Sequence, residues 1–111
     1  MHTGFEHACA QGDVEMAIAR ANDLGGHLSL EAAAKLLAAM ARTQHPLFDR
    51  AAVRWISRYV GEATRLQLAE LVNVVDAIAE LREDPSAAET LFTATKYQRH
   101  RREFKNETND D

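Results

Sequence analysis

Residues 64–81, TRLQLAELVNVVDAIAEL, decide the fold class. Thr64 and Gln67 stand three apart, the spacing at which a side chain at a helix start and one in its first turn each satisfy a free backbone N–H. Leu66, Leu68, Leu71, Val72, Val75, Ile78 and Leu81 follow, mostly at intervals of three and four, with Val74 widening the stripe. That is the period of an amphipathic helix and not of a strand. The reading predicts a helix at the centre of the core.

The flanking segments carry the same grammar. Asp84-Pro85 starts a last helix, a carboxylate capping the end and a proline filling the first turn, where its missing N–H costs nothing. Ser86 and Glu89 offer a second cap pairing, and Ala88, Leu91, Phe92 and Thr95 are the expected docking contacts. Upstream, Leu28-Ser29 places an N-cap before the apolar face Leu30, Ala33, Ala34, Leu37, Met40 and Ala41, with Glu31 and Lys35 paired on the other side. Pro46 ends that helix and opens a fourth, which runs to about Val60. Thr3 with Glu6 caps a first helix over about residues 4–11. Asp13 caps a second, bearing Val14, Ala17, Ile18, Ala21 and Leu24 and stopped by Gly25-Gly26. No hairpin turn separates β-branched runs. The expectation is an all-α, compact helical bundle of about five to six helices. An echo of about 38 residues between the Leu28–Met40 and Leu66–Ile78 stretches leaves a pseudo-repeat of helix hairpins open.

A chain of 111 residues that is 46% hydrophobic and 27% charged has the composition of one soluble globular domain. Its twenty alanines favour close helix packing. Cys9 is alone and forms no internal disulfide, so core burial must hold the fold. No run approaches the ~18 apolar residues that cross a bilayer, and Met1-His2-Thr3-Gly4 lacks the basic start and hydrophobic stretch of a signal peptide. A cytoplasmic protein without membrane insertion is expected. After Tyr97 the apolar pattern stops, which predicts a helical domain over residues 1–97 and a charged, disordered tail over 98–111.

Charge is segregated along the chain. Residues 1–95 carry eight basic and thirteen acidic side chains, residues 96–105 five basic and one acidic, and Asn106–Asp111 three acidic. An acidic body with a short basic segment disfavours nucleic acid as the partner of the whole domain, because phosphate neutralisation needs a wider basic footprint.

The stretch Pro46-Leu47-Phe48-Asp49-Arg50-Ala51-Ala52-Val53-Arg54-Trp55, with the alanine- and leucine-rich helix before it and Leu66-Gln67-Leu68-Ala69-Glu70 after it, resembles a group of short, all-helical actinobacterial proteins of no assigned function. The likeness covers roughly residues 10–82, and Arg50-Ala51-Ala52-Val53-Arg54-Trp55 is its most specific element. It implies a helical fold and brings no catalytic residue and no ligand.

No motif fixes a reaction. His7 and Cys9 are two apart and point in different directions on a helix, and with His2 they lack the further ligands of a zinc site. Cys9 therefore reads as a small buried hydrophobe. His27 and His45 fall in connections and His100 in the tail. Ser29 and Ser86 have capping explanations, and Ser57 has no nucleophile motif around it. Glu70, Asp76, Glu80 and Glu83 read as a solvated helix face rather than an acid–base pair. No catalytic residue, metal site or cofactor is expected, and the chain reads as a non-enzyme.

Arg50, Arg54 and Arg58, spaced by four, form one ridge of a helix whose other face carries Phe48, Ala51, Trp55 and Tyr59. Internal salt bridges to Glu62 or to the acidic fifth helix are the competing explanation. With Arg99, Arg101 and Arg102 of the basic segment, this ridge is the candidate partner surface. The expected function is that of a small non-enzymatic helical protein-interaction module, with self-association left open. The alternative is a nucleic-acid-associated regulator using the basic C-terminal segment.

Overall fold

A computed structural model describes residues 3–23, 25 and 28–108, and the side chains among them except those of Thr3 and of residues 104–108. His2, Leu24, Gly26, His27 and the acidic end Asp110-Asp111 lie outside the described residues, as does the Thr3 side chain expected to cap the first helix. The order is α1 (Thr3–Ala10), α2 (Val14–Asp23), α3 (Leu30–Arg42), α4 (Phe48–Glu62), α5 (Leu68–Glu80), a 3-10 turn (Pro85–Ala87) and α6 (Ala88–Thr108). The architecture is all-α, and the described residues contain no strand.

Three of the caps read from sequence are present. The Asp13 carboxylate accepts from Met16 N at 3.1 Å, Ser29 Oγ from Ala32 N at 3.0 Å, and the Asp84 carboxylate from Ser86 N at 3.1 Å. Each satisfies a donor that the first helical turn leaves without an internal partner. Thr64 does not cap α5. Arg65 sits at φ 54°, the chain runs extended through Gln67, and α5 begins at Leu68 without a side-chain cap. The Thr64 N–H donates instead to Gln98 Oε1 at 2.7 Å. Asp84→Ala should therefore lower the unfolding free energy by about 1 kcal/mol, whereas Thr64→Ala should stay within about 0.5 kcal/mol. Chemical denaturation of the two variants checks this, and equal losses would place the α5 boundary wrongly.

The centre of the bundle is α3, not α5. Leu30, Ala34, Leu37, Ala39, Met40 and Ala41 of α3 are buried, and the helix packs against α1, α2, α4, α6 and the 3-10 turn. Alanine makes this possible, since a methyl group lets neighbouring backbones approach on several sides at once. By contrast α5 buries only Val74, Ala77 and Ile78 and leaves Leu68, Val72 and Val75 exposed. The α5 sequence is apolar on more than one side, so its period fixes a helix without fixing which side faces inward.

Helices α3 and α4 lie antiparallel: Trp55 and Arg58, late in α4, bond to the carbonyls of Leu30 and Leu28 at and just before the α3 start. Helices α5 and α6 do likewise, with Glu70 early in α5 meeting Arg101 far along α6. Arg42 at the end of α3 donates to the carbonyls of Cys9 (2.8 Å) and Ala10 (3.2 Å), closing the C-terminal end of α1. Gly12 follows at φ 74°, where a Cβ would come within 3.0 Å of Thr43 Cγ2, so the α1–α2 turn is fitted to glycine.

The helix does not end at Tyr97. Helix α6 continues through the expected boundary between residues 97 and 98 as far as Thr108. Ala88, Leu91, Thr95 and Gln98 are buried at helical spacing, so the inward stripe passes Tyr97 with a polar member, and Arg101 extends the contacts by one more turn.

Candidate functional site

Helix α4 sorts its side chains by chemistry. Phe48, Ala52, Trp55 and Tyr59 face inward, with the Trp55 and Tyr59 rings stacked at 5.4 Å between centroids and 8° between planes. Trp55 Nε1 donates to Leu30 O at 3.0 Å, which satisfies its polar handle inside the core. Tyr59 is equally buried; burial first, then the Glu70 carboxylate, push its hydroxyl above the usual range.

The three arginines of the ridge differ in fate. Arg58 Nε donates to Glu62 Oε2 at 2.9 Å and its Nη2 to Leu28 O at 2.9 Å, so it pins the segment leading into α3 to α4. Arg50 and Arg54 are exposed and have no ion pair or hydrogen bond among the described residues. The ridge is thus one structural arginine and two open ones.

The ridge edges a groove of about 420 Å³. One wall is Ile18, Leu28, Ala33, Leu36, Leu37 and Met40, and the other is Leu47, Ala51 and Trp55 with Arg50, Arg54 and Arg58. No carboxylate lines it among the described residues. From Leu47 to Arg58 the α4 wall runs about 16 Å, roughly three helical turns. A second hollow, of about 470 Å³ between α5 and α6, is more polar, and its Arg101 and Glu70 already engage each other at 3.3 Å.

The basic segment is divided in the same way. Arg99 pairs with Glu31 at 3.0 Å, and Arg101 donates to Thr64 O and Arg65 O, both at 2.9 Å, with its guanidinium also 4.5 Å from the Tyr97 ring centroid. Arg102 is exposed without a partner among the described residues. Arg99 and Arg101 are thus engaged within the fold, as Arg58 is, while Arg102, like Arg50 and Arg54, is open.

In the connection where the sequence places it, His45 accepts from Leu47 N through Nδ1 at 3.2 Å, which leaves the proton on Nε2 facing Glu15 Oε1 at 3.2 Å. That hydrogen bond holds the Glu15 carboxyl below its usual range. Burial pushes the Cys9 thiol up, with Lys35 and Arg42 acting in the opposite direction. Among the described residues no three His, Cys, Asp or Glu side chains gather where a metal ion could sit, and no helix is long and apolar enough to cross a membrane.

Fold and groove together define an all-α domain with an apolar cleft edged by arginine. Comparison with protein-family models, with curated proteins and with solved structures finds no match to the chain.

Proposed function

We propose that the protein is a small, non-enzymatic helical interaction module that takes an acidic amphipathic helix of a protein partner into the α3–α4 groove. One observation carries the reading: an apolar groove three turns long is bordered by Arg50 and Arg54, which are exposed and unpaired, and by no described carboxylate. Burial of apolar side chains supplies affinity in such a mode, and the charged edge selects the partner. A guanidinium fork pairs with carboxylate in two-pronged geometry, better than an ammonium does. Among the described residues the groove is lined by no acid, base or nucleophile besides guanidinium, which favours binding over catalysis.

The nucleic-acid alternative draws less support. Arg99 is committed to Glu31 and Arg101 to the α4–α5 loop and Glu70, so of these three arginines only Arg102 is without a partner among the described residues.

Trp55 is the sole tryptophan and lines the groove, so its fluorescence reports occupancy. Titration with a designed helical peptide bearing leucines on one face and glutamates beside them should change that signal, while a lysine-for-glutamate counterpart should not. Arg50→Glu with Arg54→Glu should weaken the acidic peptide by about tenfold or more, roughly 1.4 kcal/mol, and leave the melting temperature nearly unchanged. Equal binding of both peptides, or an unaffected double variant, would remove the groove from the account.

A further inference from the structure

The chain itself carries a helix of the chemistry this groove would take. On α5, Leu68, Val72 and Val75 are 76%, 48% and 37% exposed and stand at i, i+4 and i+7, one continuous stripe. Beside it lie the exposed Asp76 and Glu80, one turn apart, neither carboxylate with an ion pair or a hydrogen bond among the described residues. This face is distinct from the one by which α5 packs in its own bundle, through Val74, Ala77 and Ile78.

The match extends to register. Arg50 and Arg54 are spaced as Asp76 and Glu80 are, about 6 Å along the axis, and α5 is about 20 Å long against a groove wall of about 16 Å. We propose that α5 of one copy docks in the α3–α4 groove of a second copy, Leu68, Val72 and Val75 entering the groove and Asp76 and Glu80 meeting Arg50 and Arg54. The contact runs between copies because α5 is held in its own bundle by its inner face. It joins two different surfaces, so each copy offers both a helix and a groove. The proposal rests on the groove being a helix-binding site.

Sedimentation of the full chain over a concentration series tests it. The wild-type mass should rise above that of the 12.4 kDa monomer as concentration increases. Arg50→Glu with Arg54→Glu, or Asp76→Arg with Glu80→Arg, should each weaken association by about tenfold or more. Mixing the two double variants should restore it, because the acidic groove of one then meets the basic α5 of the other. Leu68→Glu should weaken association without altering the helical circular dichroism signal, which is also the folding control for the charge variants. A wild-type chain that stays monomeric while still binding the acidic peptide overturns the self-docking and leaves the groove standing. Loss of both signals overturns both. Association that survives the charge reversals, or is not restored by mixing, overturns the α5-in-groove geometry.

Discussion

Trp55→Ala should cost about 3–5 kcal/mol and lower the melting temperature by about 15 °C or more. Trp55 is 3% exposed, stacks on Tyr59 and donates to Leu30 O, so truncation removes packing, leaves a cavity and cancels the bond that joins α4 to the α3 start. Against a total stability of about 5–15 kcal/mol for a domain of ordinary size, that is a large share. Trp55→Phe separates the contributions. It keeps most of the aromatic body and loses the N–H donor, and should cost about 1–2 kcal/mol. Thermal melts of the two variants decide the matter: an alanine variant melting within about 5 °C of wild type would mean that α3 and α4 are not joined by this ring.

The same ring shows what a sequence can and cannot disclose. That Trp55 faces inward followed from its period with Phe48 and Tyr59, and all three are buried. That its indole N–H finds Leu30 O could not follow, because the pairing spans 25 residues and depends on how two helices cross. Local chemistry was legible at three helix starts and misread at Thr64, whose N–H is taken by the distant Gln98. Ser29, Asp13 and Asp84 cap because each acts on an N–H two or three residues away.

Global placement was not. The period made α5 the core helix by its leucines and valines, but the alanines of α3 allow closer approach on more sides, and that decided which helix sits in the middle. For the candidate site, the ridge Arg50–Arg54–Arg58 was readable from spacing alone. The apolar wall opposite it comes from α2, α3 and the segment before α3, and only the tertiary fold brings these beside the ridge.

Arg101 carries the second large effect. The sequence groups it with Arg99 and Arg102 in one basic run, but chemistry separates them. Arg101 has a side chain only 18% exposed, and it grips the carbonyls of Thr64 and Arg65 together with the half-buried Glu70 carboxylate. The gripped loop includes Arg65 at φ 54°, a conformation that costs a non-glycine residue about 1–2 kcal/mol and persists only where surrounding bonds hold it. Arg101→Ala removes these charge-assisted bonds at one stroke and leaves Glu70 without its cation, so it should cost about 2–3 kcal/mol. Lys at this position restores the charge but not the fork that reaches two carbonyls at once, and should recover less than half of the loss. Arg102→Ala, with no partner among the described residues to lose, should lie within about 0.5 kcal/mol of wild type. Denaturation of the three variants in parallel reads the difference. Equal and small effects at positions 101 and 102 would mean that the run is a solvated basic surface after all, and that the α4–α5 loop is held by the Gln98 bond to Thr64 alone.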